Sequence, residues 1–184
     1  MREQWPPEAK RIADSSGTVE RRDRRLRLRL DDGRHAELVD CPHTDAAFAY
    51  LYERYDDTGR FYVAQRPTYE DSYYTLVMKK TGKTYIVEGP PIWSDDKSRF
   101  LTARCGIGYP VNTLSVHVPS GGDITTEAEI PLPCGENESC SARWDNSSSI
   151  RVTCKAMTDL DGPKPDPQFA VQRGSDGAWK MSDR

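Results

Sequence analysis

A cysteine nucleophile needs a histidine beside it and a lowered pKa. Cys105, in 104-RCGIG-108, is the candidate thiol, and His35, His43 and His117 are the candidate bases. Their spacing brings no pair together. Cys105 also closes an apolar alternating run, as a structural cysteine does. The acidic pairs Asp56-Asp57 and Asp95-Asp96 offer oxygen ligands for calcium, but both sit in predicted turns, where Asp is favoured for bonding its own backbone. Gly106-Ile107-Gly108 lacks the glycine spacing, the following helix and the lysine of a phosphate loop. No Cys-x2-Cys pair offers zinc a ligand set. No cofactor, metal or catalytic residue is expected from these patterns.

The cysteines say more about compartment than about catalysis. Cys41, Cys105, Cys134, Cys140 and Cys154 lie in the central part of a polar, turn-rich chain. That usage fits an oxidising compartment, periplasmic or secreted, where disulfides supplement a modest core. An odd count leaves at least one cysteine free or joined to another chain. The start, 1-MREQWPPEAK-10, carries no apolar signal region, so a processed or trimmed form with an added Met1 is expected. The insertion 134-CGENESC-140 has no apolar side chain to bury, and a Cys134–Cys140 bridge is expected to hold it as a protrusion. Cys140–Cys154 is the competing pairing, because the two stand opposite one another if their hairpin turns at Ser147. A pinned loop loses less entropy on binding, which makes Glu136, Asn137 and Glu138 candidate contacts for a partner's cleft.

Two further surfaces are candidates for binding. Aromatic residues crowd residues 48 to 74, with Tyr69 and Tyr73 among them. Tyr combines apolar area with a polar tip, so an exposed set would suit a protein or a glycan, while a buried set would be cross-strand packing. The run 20-ERRDRRLRLRL-30 reads as a basic edge strand, fit either to meet an anion or simply to discourage aggregation. The net charge of −3 does not suggest a nucleic-acid partner. No apolar run approaches the ~20 residues that cross a bilayer as a helix.

These side chains must be positioned by strands. Residues 1–20 read as a tail or a loosely docked short helix, and 21–184 as a single β-repeat domain. In 26-LRLRL-30 a period of two sets leucines on one face and arginines on the other, and Asp31-Asp32-Gly33 turns the chain into 34-RHAELV-39. The segment 47-AFAYLYERY-55 reads as a strand in preference to a helix, pairing across Asp56–Gly59 with 60-RFYVAQR-66. Further hairpins are 73-YYTLVMKKTGKTYIVEG-89, 92-IW-93 with 99-RFLTARC-105, 114-LSVHV-118 with 124-ITTEAEIPL-132, and 142-ARW-144 with 150-IRVTC-154. The segment 169-FAVQRGSDGAWKMS-182 reads as a closing hairpin that caps the array.

Trp93 aligns with Trp144, Ser94-Asp95-Asp96 with Asp145-Asn146-Ser147, and Cys105 with Cys154. The internal repeat is roughly fifty residues, a period associated with propeller blades and arrays. Both indoles are expected to be buried at equivalent places.

A strand ending in Trp-Ser before an Asp-rich turn and an apolar strand resembles the blade signature of TolB-like and WD40-like propeller repeats. The stretch 73-YYTLVMKKTGKTYIVEGPPIWSDDKSRFLT-102 resembles a group of small secreted bacterial proteins of unknown function with a few such units. The resemblance implies an all-β fold of consecutive antiparallel hairpins with few short helices. Two or three units would form a partial propeller-like array or a twisted β-sandwich. The expected function is non-enzymatic binding of another macromolecule, most simply a protein, of the kind seen in immunity proteins or inhibitors of toxins and cell-wall hydrolases. A small hydrolase or carbohydrate-binding module is the alternative.

Overall fold

The structure is a computed structural model that describes residues 6–41, 47–67, 72–106, 112–135, 138–156 and 166–183. Strand makes up 61 % of it and helix 5 %, so the chain is all-β. Packing divides it into two compact units, Met1–Gly89 with Gly121–Asp123, and Pro90–Ser120 with Ile124–Arg184.

The first unit opens with helix α1 (Pro6–Ala13). Proline is tolerated in a first helical turn, and Glu8 in the first turn with Lys10 and Arg11 in the last complement the helix dipole. Ser16 and Gly17 then take positive φ values of 54° and 77°, which ends the helix and reverses the chain. Strands β1 (Val19–Arg22), β2 (Arg25–Arg29) and β3 (His35–Val39) form a meander with β2 in the centre. A second meander contains β4 (Leu51–Tyr55), β5 (Phe61–Pro67), β6 (Ser72–Met78) and β7 (Thr84–Val87). Period-two burial turns Leu26 and Leu28 inward, where they pack with Val19 and Leu38 against Tyr52, Tyr62, Ala64 and Val77. Each such fully buried large apolar side chain contributes about 1.5–3 kcal/mol. The β4–β5 turn is held by buried Asp56, which accepts from the Thr58 and Phe61 amides, both at 2.8 Å.

The second unit carries two more meanders: β8 (Ile92–Trp93), β9 (Phe100–Arg104), β10 (Asn112–Ser120) and β11 (Asp123–Leu132), then β12 (Glu138–Asn146), β13 (Ser149–Ala156), β14 (Gln168–Arg173) and β15 (Trp179–Asp183). Its core gathers Leu101, Leu114, Val116, Ile130, Leu132, Ile150, Val152 and Val171. Trp93 lies in the first strand of one meander and Trp144 in the first strand of the next, strands of two and nine residues. The two turns carry the same kind of bond one residue out of the alignment of Trp93 with Trp144, which sets Asp95, not Asp96, against Asn146. Asp96 accepts from the Ser98 amide at 3.0 Å, and Asn146 from the Ser148 amide at 2.9 Å. Burial of the indoles differs from expectation: Trp93 is buried, whereas Trp144 is only partly so. Trp144 lies edge-on to Trp179 with ring centroids 5.9 Å apart, and its Nε1 donates to the Ile92 carbonyl at 2.9 Å. Two consecutive four-stranded meanders therefore occupy the region of the repeat. The closing hairpin is the second half of the last one, since β14 pairs directly with β13.

Candidate functional site

Strands β5 and β6 place Arg66 directly opposite Tyr73. The Arg66 guanidinium carbon stands 4.8 Å from the Phe48 ring centroid and 5.3 Å from that of Tyr73. Phe48 in turn meets Tyr50 edge-on at 5.3 Å. All four side chains are partly exposed, and Arg66 and Tyr73 sit near the end of β5 and β6, past the fully covered Tyr62 and Ala64. A cation between two rings is attracted by their quadrupoles and held in a defined orientation. Arg66 Nε is itself buried and has no hydrogen-bond partner among the described residues. The arrangement can offer flat apolar area and a directed cation to one ligand. Tyr73 thus belongs to a cluster, while Tyr69, the other tyrosine singled out from the sequence, lies outside the described residues. Arg66 escaped the sequence reading. Its signal was the second pairing of 60-RFYVAQR-66, with the strand that follows it.

The segment 134–140 corrects an expectation. Cys134 is bonded to Cys154 and Cys140 to Cys105, with Cα–Cα distances of 5.4 and 5.5 Å, so there is no Cys134–Cys140 bridge. Cys140 is already inside β12, on the face that packs with the core, and its sulfur is directed to Cys105 instead of back along its own loop. The competing expectation had the register right: Cys140 and Cys154 are direct cross-strand partners, yet each is bonded elsewhere. Cys105 is therefore no free nucleophile. Glu136 and Asn137 lie outside the described residues, and Glu138 turns its carboxylate back onto the Gly135 amide at 2.7 Å. A carboxylate oxygen of Glu138 and the sulfurs of Cys134 and Cys154 lie within 4.8 Å of one another. Those sulfurs are joined, so they offer no thiolate to a metal. Cys41 is the free cysteine, in an isolated bridge with Phe48.

The arginine run divides between edge strand β1, with Arg21 and Arg22, and central strand β2, with Arg25, Arg27 and Arg29. Strand β2 is central, and Arg27 pairs across the sheet with Glu20 at 3.5 Å on one side and Glu37 at 3.2 Å on the other. Arg25 meets Glu37 and Arg22 meets Glu20, both at 2.9 Å. An open depression at the β1–β2 turn is lined by Arg22, Asp23, Arg24, Arg25 and Val39, and another on the β12–β13 face by Ser141, Arg143, Arg151, Thr153 and Gln168. Neither lining sets a histidine beside a nucleophile.

Buried His117 lies in the second unit with Nε2 3.1 Å from Thr102 Oγ1 and Nδ1 3.3 Å from Thr126 Oγ1, stacked on Phe100. Burial lowers its pKa to about 4. The unfolded chain therefore binds a proton in a range where the folded chain does not. This neutral histidine contributes its full stability above the ordinary value of 6.5, and the contribution is lost as pH falls towards 4. Urea denaturation at a series of pH values is expected to show about 2 kcal/mol lost over that interval from this group. In His117→Gln that part of the slope should vanish; an identical slope would remove the assignment.

No protein-family model matches the chain, and no curated protein matches it significantly.

Proposed function

We infer that the protein is a binding protein of an oxidising compartment, and that it recognises a protein partner through the face carrying Phe48, Tyr50, Arg66 and Tyr73. The observation that carries this reading is the Arg66 guanidinium held between the Phe48 and Tyr73 rings on a partly exposed sheet face. Aromatic and arginine side chains dominate binding hot spots, because they supply large area with few rotatable bonds, and a cation held in place gives up less entropy on contact. A partner presenting a carboxylate beside apolar surface would meet both features. The two disulfides support an extracytoplasmic setting, whether periplasmic or secreted. An immunity or inhibitor role is one form this function would take, and the propeller-type repeat resemblance remains part of the same proposal.

The test is capture from the extracytoplasmic fraction of the source cells on immobilised protein, with Tyr73→Ala and Arg66→Ala in parallel. A partner retained by the wild type and reduced at least tenfold by either substitution is expected, since hot-spot truncations cost about 2 kcal/mol or more. Equal capture by all three would contradict the assignment of this face. Retention of a glycan instead of a protein would transfer it to the carbohydrate-binding alternative.

A further inference from the structure

The four bonded cysteines form one contiguous set. Cys140 and Cys154 oppose each other across β12 and β13, and each carries a bridge to a different third residue. The Cys154 amide donates to the Pro167 carbonyl at 3.0 Å, towards the β14 side of its strand. In an antiparallel sheet a residue's N–H and C=O point the same way, so Cys154 directs neither at Cys140. The two are a non-hydrogen-bonded pair, the kind whose Cα atoms lie about 4.5 Å apart with side chains closest. That separation is within the range a disulfide spans. The Cys134–Cys154 bridge is the more buried of the two. Cys134 and Cys154 are 8 % and 1 % exposed, while Cys105 and Cys140 are only partly buried.

We propose that these cysteines form a thiol–disulfide exchange site, at which a dithiol reductant opens Cys105–Cys140 and the bridge then passes to Cys140–Cys154. The reductant's thiolate attacks Cys105 Sγ, the Cys105–Cys140 bond breaks, and its electron pair leaves on Cys140 as a thiolate. The reductant's second thiol resolves the mixed disulfide at Cys105, so the dithiol is oxidised to a disulfide and Cys105 becomes a thiol. Cys140 Sγ then attacks Cys154 Sγ. The Cys140–Cys154 bond forms, Cys134–Cys154 breaks, and Cys134 leaves as a thiolate that takes a proton from water. One dithiol is oxidised, one protein disulfide is reduced, and Cys105 and Cys134 end as thiols.

Access selects the first bond, because exchange requires an attacking thiolate to reach a sulfur. Register selects the second, because Cys154 is the direct cross-strand neighbour of the Cys140 thiolate. Glu138 slows the transfer. Its carboxylate lies within 4.8 Å of both sulfurs of the buried bridge and disfavours the negative charge that develops on departing Cys134. The site is independent of the aromatic face.

The experiment uses the full chain in a Cys41→Ser background, with limiting dithiothreitol under native conditions, alkylation, and non-reduced peptide mapping. The expected singly reduced species carries a Cys140–Cys154 link, with Cys105 and Cys134 alkylated. Glu138→Gln should form it about threefold to tenfold faster, and denaturant should abolish the preference because the strand register is then lost. Cys105→Ser enters the same sequence without a reductant and should show Cys140–Cys154 with free Cys134. Alkylation at Cys105 and Cys140 with Cys134–Cys154 intact would overturn the proposal. So would first reduction of Cys134–Cys154, or a persistent Cys134–Cys154 link in Cys105→Ser.

Discussion

Arg21→Met is expected to lower the stability of the chain by about 3 kcal/mol, the low end of what breaking a buried ion pair costs. Arg21 Nη2 donates to Glu8 at 2.7 Å and to the Tyr50 carbonyl, and Nη1 lies 3.1 Å from an Asp40 oxygen. The three charged side chains are 20 %, 13 % and 17 % exposed. Both carboxylates also hold backbone, Glu8 accepting from the Tyr52 amide at 2.8 Å and Asp40 from the Tyr50 amide at 2.9 Å. One cation thus pins helix α1 and the chain end after β3 to β4. Without it, two largely buried carboxylates lose their counter-charge, and an eight-residue helix, too short to persist alone, loses its anchor. The urea midpoint should fall, and amide exchange over residues 8–13 should speed up. Arg22→Met is the control. Its pair with Glu20 is 66 % and 41 % exposed, and pairs of that kind are worth about 0.2–1 kcal/mol. Equal midpoints for the two variants would refute the role given to Arg21.

Glu127→Ala should cost a similar amount in the second unit, through the inverse arrangement of charges. One carboxylate there faces two cations. Arg99 contacts it through Nε at 2.7 Å and Nη2 at 3.0 Å, Arg173 Nη2 donates at 2.9 Å, and Trp179 Nε1 donates at 3.0 Å. The node joins the β8–β9 turn, β11, β14 and β15. These donors hold the carboxyl near a pKa of about 2, with the Arg99 hydrogen bonds the largest cause. A depressed carboxylate pKa means the unfolded chain binds the proton first. The contribution is complete above the ordinary value of 4.5 and is lost as pH falls through about 2. Removing the carboxylate leaves Arg99 and Arg173 facing each other and the Trp179 donor unpaired. Glu127 is 20 % exposed, which places the expected loss at about 3 kcal/mol. Chemical denaturation at neutral pH reads it directly, and the difference between variant and wild type should shrink on acidification towards pH 2. A difference independent of pH would mean that packing, not charge, explains the loss.

Much of this architecture was legible because its signals are local. Alternation in 26-LRLRL-30 identifies a strand with one buried face, and the Asp-rich turns give the hairpins their ends. Trp93 and Trp144 each fall in the first strand of a meander, but the two meanders share one core and the Glu127 node, so the aligned flanks do not mark out independent units. Features that depend on which strand lies beside which were not legible. The run 20–30 reads as one charged edge because six arginines cluster in 21–29, yet Glu20 and Glu37, which pair with Arg22, Arg25 and Arg27, come from the strands on either side of β2. Cys134 and Cys140 read as partners because they flank a polar loop, but strand register turns Cys140 away from it. The Arg66 cluster and the Glu127 node share this character. Glu127 is one polar residue among several in 124-ITTEAEIPL-132, and nothing in that stretch marks the one that meets Arg99.

The claim that the aromatic–arginine face is the binding surface is tested most directly by amide hydrogen exchange of the full chain with and without its captured partner. Protection is expected at residues 47–50, 65–67 and 72–74, with little change over strands β14 and β15. Protection confined to other segments, with those three unchanged at saturating partner, would contradict it.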